Sequence, residues 1–540
     1  MGEVSLEETK APWSEVVKLK RDKQARDIEQ GQAIVSGLQN HHVESITSID
    51  NVQTLASKIA IGELKAQDVV TAYIRKAITA HTKTNCLTEV FFSQAIEQAI
   101  ALDNHLQKTA STVGPLHGIP ITLKDQFDVR GHDTTLGYVG RSFRPAIEDA
   151  LLVQILKRAG AIVIAKTNLP QSIMWCETDN PLFGLTTNPI DSQLTPGGST
   201  GGEGALLHEH GSLIGWGTDI GGSVRIPSHM MGLYALKPSS GRLPYLGCQV
   251  STAGQEHVPS VIGPMARSLE SIESVTKIVI EAEPWNEDPT CHRLPWQGHV
   301  YAEIQSRPLV IGLLVDDDHV RPHPSISRVI RETASRLQAA GHTIVPWTST
   351  LHTECIQIMD AYYTADGGED IRRSVAEGGE PMIPHVEGLV NRGKPISVYE
   401  YWQLHQRKRA AQAAYLQKWN SILDPSTKRR VDVLLTPVMP HPAVKHGGCK
   451  WVGYTKVWNL LDYTAVVLPG GKVDKRIDRV EEEEGGYEPR NETDKWNWER
   501  YDPVAMDGLP IGIQLVGQRL EEEKVLGAAR VVDSALGRGR

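Results

Sequence analysis

The 540-residue chain lacks the features that would assign it to several large protein classes. No uninterrupted apolar run of about 18 residues occurs, so nothing in it reads as a transmembrane segment. Its amino-terminal region is rich in Glu, Lys, Arg and Asp and has no apolar centre of the kind a signal peptide needs. Cysteine is scarce, and Cys86, Cys176, Cys248, Cys291, Cys355 and Cys449 stand apart without a C-x-x-C pair. They read as free thiols of a reducing compartment, not as a disulfide framework. No extended basic patch interrupts a net charge of −9, which argues against nucleic acid as a partner. There is no internal repeat. With 40% apolar and 22% charged residues, a soluble cytoplasmic globular protein remains, long enough for one large domain or a few small ones.

What the chain has in excess is glycine between Pro196 and Arg242. Two clusters, Gly197-Gly198-Ser199-Thr200-Gly201-Gly202 and Ile220-Gly221-Gly222-Ser223, flank a short apolar segment. Glycine lets backbone approach a ligand closely, so the pair reads as two loops facing one small pocket, each presenting a hydroxyl. The usual glycine motifs do not fit. No lysine follows as a P-loop requires, and Gly215-Trp216-Gly217 lacks the third glycine of a dinucleotide fingerprint at its proper place. Gly221-Gly222-Ser223-Val224-Arg225 lacks the last glycine of an esterase elbow.

This stretch resembles the amidase signature family, whose hallmark is G-G-S-S-G-G-[ES]-[GA] followed by G-T-D-x-G-G-S-[IV]-R-x-P. The spacing between Ser199 and Ser223 matches as well. Thr200 departs from the pattern, standing where the family has a second serine; it keeps the hydroxyl and adds a methyl. The resemblance extends over roughly residues 50–535 and is specific around 114–128, 165–245 and 508–517. It implies an α/β fold with a large mixed, twisted central β-sheet covered by helices on both faces. The expected organisation is a polar helical arm over 1–50 and a single amidase signature domain over 51–540. Within that domain the glycine-rich core spans about 114–270 and a variable helical region about 325–430.

Periodicity fills in the elements around the core. A three-to-four beat of Leu55, Ile59, Val70, Tyr73, Ile74, Ala77 and Ile78 predicts helix from Val52 to His81, and a second helix is expected over Gln94–Leu106. Ile119–Leu123 reads as a short buried strand with Lys124 at its end. A lysine there is ordinarily a solvated charge, but Leu123 and Phe127 flank it with apolar groups. Helix Glu148–Arg158 then leads into strand Ala161–Ala165, an alternation that argues for an α/β sheet. Further strands are expected at Leu309–Val315, Val431–Thr436 and Gly508–Gly517, with loops over 281–307 and over the charged segment 471–502, which includes the run Glu481 to Glu484. Tyr362, Tyr363, Tyr399, Tyr401 and Trp402 are candidates for a substrate funnel or for packing. Asp316-Asp317-Asp318-His319 with His323 could suit a divalent ion, yet reads better as a solvated strand end. His208 and His210 point to different faces of a helix, unlike the pair of H-E-x-x-H.

The resemblance implies the chemistry. Amide hydrolysis needs a nucleophile, a base and donors for the oxyanion, and no histidine in the core is placed for a Ser-His-Asp set. By resemblance Ser223 attacks the carbonyl, Ser199 relays its proton across a cis Gly198–Ser199 peptide, and Lys124 is the final base. An uncharged Lys124 requires its pKa to fall from about 10.4 to about 7–8 by burial. Ile220, Gly221, Gly222 and Ser223 supply the expected oxyanion amides, with Asp219, Arg225 and Thr200 in support and Ile173 and Met174 lining the acyl side. The pattern is most similar to the soluble fungal acetamidase-like branch and related to fatty acid amide hydrolases. It implies cleavage of a small-molecule carboxylic amide to acid and amine through an acyl-Ser223 intermediate, with no cofactor and no metal. A homodimer stays open, as do a glutaminase-like subunit of a tRNA-dependent amidotransferase and a non-catalytic binding homologue.

Overall fold

The computed structural model describes residues 12–37, 39–479 and 487–538. The run Glu481 to Glu484 lies outside the described residues. Strands β1 (Leu87–Val90), β2 (Pro120–Lys124), β3 (Ile162–Thr167), β4 (Ile214–Asp219), β5 (Tyr234–Lys237) and β6 (Val261–Ala266) form one half of a sheet. Strands β7 (Val310–Leu313), β8 (Thr343–Pro346), β9 (Val433–Pro437), β10 (Ala465–Lys472) and β11 (Pro510–Val516) complete it. The 11 strands run in the order β1-β3-β2-β4-β6-β5-β10-β11-β9-β7-β8. Strand β2 is parallel to both β3 and β4, whereas the centre from β4 through β9 is antiparallel.

The sheet is mixed and covered on both faces, and the strand residues show why. Successive side chains of a strand point to opposite faces. On β9, Val433 and Leu435 join the largest buried cluster while Leu434 joins a second one containing Tyr415, Trp419 and Trp458. Val466 and Ala465 on β10, and Leu515 and Val516 on β11, divide the same way. Strands apolar on both sides are stable only between two layers of helix.

Several expected boundaries shift for identifiable reasons. The helical beat from Val52 to His81 is two helices, Val52–Ala60 and Ala66–Thr84, separated at Gly62, whose φ is +76°. The segment 281–307, expected as loop, contains helix Gly298–Gln305, packed on the terminal helix Glu522–Ala535. Its partner, more than 200 residues on in sequence, supplies the apolar surface that its own composition lacks. The charged segment 471–502 likewise contains helix Glu492–Trp498, started by the Asn491 side chain accepting from the amides of Thr493 and Asp494.

The polar arm is ordered by charge. Helix Trp13–Val35 sends Lys20 into the protein, where it pairs with both Glu89 and Asp133. Burial works against its charge, but the two carboxylates outweigh that and raise its pKa. The carbonyl of Asp133 accepts from Lys166 Nζ at 2.7 Å, and Lys166 sits 3.2 Å from Asp125 Oδ1. Asp125 Oδ2 in turn accepts from Thr135 Oγ1 at 2.6 Å and from the amides of Thr135 and Leu136. A chain of buried charge thus runs from the arm to the residue beside Lys124.

Candidate active site

Lys124 ends β2 and Asp219 ends β4, the neighbouring parallel strand, so the topology brings Lys124 beside Thr218. The two glycine clusters lead into helices Gly201–His208 and Arg225–Met231, which pack on each other. Small residues set this closeness: a methyl on Gly204 would press on Pro227 and Met231, and one on Gly217 would strike the Thr200 side chain. Ser199 and Ser223 therefore lie at the starts of adjacent helices, and the Thr200 amide donates to the Ser223 carbonyl at 3.1 Å. The Gly198–Ser199 peptide is cis.

Lys124 is fully buried. Its Nζ donates to Ser199 Oγ at 2.7 Å and to Thr218 Oγ1 at 3.0 Å, and among the described residues no carboxylate is in salt-bridge range. Burial pulls its pKa down from 10.5 to about 7, only partly opposed by the charge of Asp219. Thr218 and Gln126, which sequence reasoning passed over, set the direction of this amine. Gln126 Nε2 donates to the Gln249 carbonyl at 2.9 Å, leaving its Oε1 to accept the Thr218 proton. Thr218 has one proton to donate and commits it to Gln126, so toward Lys124 it is an acceptor. When Lys124 is uncharged, one N–H still points at Thr218 and the Ser199 contact reverses, the amine lone pair accepting the Ser199 proton.

The second cluster is held by a buried ion pair. Arg225 Nε and Nη2 meet Asp219 Oδ2 at 3.0 Å and Oδ1 at 2.9 Å, and neither side chain is exposed. Asn459 bridges the two, donating to Asp219 at 2.8 Å and accepting from Arg225 at 2.6 Å. Although burial pushes the Asp219 carboxyl up, Arg225 outweighs it and holds it well below the usual carboxylate range. The carboxylate accepts from the amides of Gly222 at 2.8 Å and Val224 at 3.2 Å. The Gly222 amide is thus engaged by Asp219. Among the described residues those of Ile220, Gly221 and Ser223 have no acceptor and stand free beside the cavity. Thr200 donates to the Thr218 carbonyl at 3.5 Å and does not contact Lys124.

A cavity of about 100 Å3 opens at Ser223, with Gly198, Ile220, Gly221, Ile173 and Met174 in its wall. Of the aromatic candidates Tyr363 lines it, its hydroxyl donating to the Ile220 carbonyl at 3.3 Å. Tyr362 stacks on His257 instead, while Tyr399 and Trp402 are exposed away from the cavity lining. Asp360, Arg392, Lys450 and Lys456 also line the cavity and carried no signal in the sequence.

The acidic turn read as a solvated strand end is in part buried, at Asp317 and His323. Asp317 accepts from the amides of His319 and Val320 and from Trp451 Nε1, and His323 Nε2 bonds the Asn497 carbonyl. Among the described residues no cluster of His, Cys, Asp and Glu could hold a metal ion, and no helix is long and apolar enough to cross a membrane.

Known proteins resemble the chain in sequence and in fold. The Amidase family profile matches residues 68–526. The chain is 54% identical to "Amidase 1" of Gibberella moniliformis, over 91% of this chain and 94% of that protein. It is 40% identical to the "Acetamidase" of Emericella nidulans, over 89% and 88% of the two. In three dimensions it is similar to a fatty acid amide hydrolase, with a TM-score of 0.87 and 31% identity over 98% of this chain and 91% of that one. The chain belongs to the amidase family, the amidase signature enzymes that hydrolyse amides.

Proposed function

We propose that the amide bond is cleaved through an acyl-Ser223 intermediate, with Lys124 as base and Ser199 as relay. The observation that carries this is the buried Lys124 amine, 2.7 Å from Ser199 and without a carboxylate partner among the described residues. With its pKa brought down to about 7, a large share of the amine is uncharged at neutral pH. It takes the Ser199 proton as Ser199 takes that of Ser223, and Ser223 Oγ bonds to the carbonyl carbon. The free amides of Ile220, Gly221 and Ser223 face the developing oxyanion, an arrangement in which each donor contributes about 10²–10³ in rate. The proton then returns by the same path to the nitrogen, the C–N bond breaks, and the amine leaves. Water, deprotonated along the same relay, attacks the acyl carbon and frees the acid and Ser223.

The cavity favours a small acyl group. About 100 Å3 falls below the roughly 300–1,000 Å3 of sites for drug-sized ligands, and the similarity to an acetamidase points the same way. A fluorophosphonate should label the protein at Ser223, and Ser223→Ala should lose both label and amide hydrolysis while remaining folded. Undiminished turnover by Ser223→Ala would exclude the mechanism.

A further inference from the structure

The cavity lining carries charge that the hydrolysis itself does not use. Arg392, Lys450 and Lys456 line it, with Asp360 as the single carboxylate. Lys456 Nζ meets Asp360 Oδ1 at 2.6 Å, so that pair is neutralised. Lys450 Nζ lies 3.2 Å from the centre of the Trp496 ring, a contact that leaves its charge in place. Arg392 is exposed, and its guanidinium makes no hydrogen bond or ion pair among the described residues. Two positive charges of the lining are therefore unmatched among the described residues, in a chain whose net charge is −9. The same cavity is lined with apolar side chains, Ile173, Met174, Trp175 and Ile220, and with Ser223.

Resting on the proposed role of Ser223, the geometry points to an amide whose acyl half ends in a carboxylate, the monoamide of a short dicarboxylic acid. Its carbonyl sits at Ser223, its methylenes lie along Ile173 and Met174, and its carboxylate meets the Arg392 guanidinium. Arginine suits this because its planar donors match a carboxylate in a two-bond fork. Hydrolysis adds one water and yields the dicarboxylate and the amine.

The test compares kcat/KM for two matched ladders. One holds succinamate, glutaramate and adipamate; the other holds the neutral amides of the same chain lengths. At one length the anionic member should exceed its neutral counterpart by about tenfold or more, in line with a charge-assisted hydrogen bond. That ratio should fall toward one in Arg392→Gln, below one in Arg392→Glu, and toward one in the wild-type enzyme at about 0.5 M salt, where exposed charges are screened. A ratio near one at every length, or one that Arg392→Gln does not move, overturns the inference. If neutral amides turn over and Ser223 takes the fluorophosphonate, only this inference falls. If neither ladder reacts and Ser223 is not labelled, the reading of the site falls with it.

Discussion

An amine that has lost its charge by burial leaves two signatures, one in rate and one in stability. With Lys124 titrating at about 7, kcat/KM should rise tenfold per pH unit below neutrality and level off above it. At pH 6 it should stand at about one-tenth of the plateau and at pH 5 about one-hundredth. Lys124→Met should lose at least about 10²–10⁴ of the rate, the usual contribution of a positioned base. Lys124→Arg should be equally inactive, because a guanidinium stays charged at any accessible pH. The stability signature lies at higher pH, above the point where the rate has levelled off. Between about pH 7 and 10.5 the unfolded chain holds a proton that the folded one lacks, so stability rises with pH through that window. The interval corresponds to about 5 kcal/mol withheld from the fold below pH 7. Replacing Lys124 by Met removes that burden and also two hydrogen bonds, worth about 1 kcal/mol each. Lys124→Met should thus melt higher than the parent at pH 6 and lose that advantage toward pH 10, as followed by thermal unfolding at a series of pH values. A flat rate profile from pH 5 to 9, or a variant less stable than the parent at pH 6, would refute the reasoning.

Other perturbations probe the surrounding parts. A methyl on Gly221 would collide with the Tyr363 hydroxyl, so Gly221→Ala should cut kcat/KM by about 10- to 100-fold and recover partly when combined with Tyr363→Phe; equal loss in both backgrounds would disconnect the two. Asp219→Asn leaves Arg225 buried without its counter-charge and should cost about 3–5 kcal/mol in denaturant unfolding. The Asp219 carboxyl is depressed in the fold, so its stabilisation is complete above its ordinary pKa and fades as pH falls below that; the penalty of the variant should shrink in acid. Thr218→Val removes the acceptor that turns the Lys124 amine and should lower kcat with the fold intact, shifting the acid limb of the pH profile to lower pH because the ammonium loses a partner.

The candidate site was legible because its parts are local. Both serines sit in glycine-rich runs, and Lys124 ends a strand whose apolar residues announce its burial. The chain beside it is less readable wherever a distant segment decides the outcome. Nothing in residues 298–305 marks a helix until the terminal helix is laid against it. The cations at positions 392, 450 and 456 look like ordinary surface charge, and only tertiary contact gathers them around one cavity. Thr218 and Gln126 were overlooked for a different reason. Their role lies in which way a proton points, which follows from the Gln249 carbonyl on a loop far off in sequence. The Gly222 amide fell among the expected oxyanion donors by motif alone, whereas the turn directs it to Asp219.

Lys20 gives the amino-terminal helix a significance that its polar surface conceals. The shared family pattern begins at residue 68, which invites trimming everything ahead of it. Doing so would take Lys20 from Glu89 and Asp133, two carboxylates buried in the intact fold, and leave Glu89 with His132 at 3.7 Å. The resulting disturbance would travel along the Lys166–Asp125 link to the strand end that carries Lys124, so a shortened enzyme would fail from within, not at its cut edge.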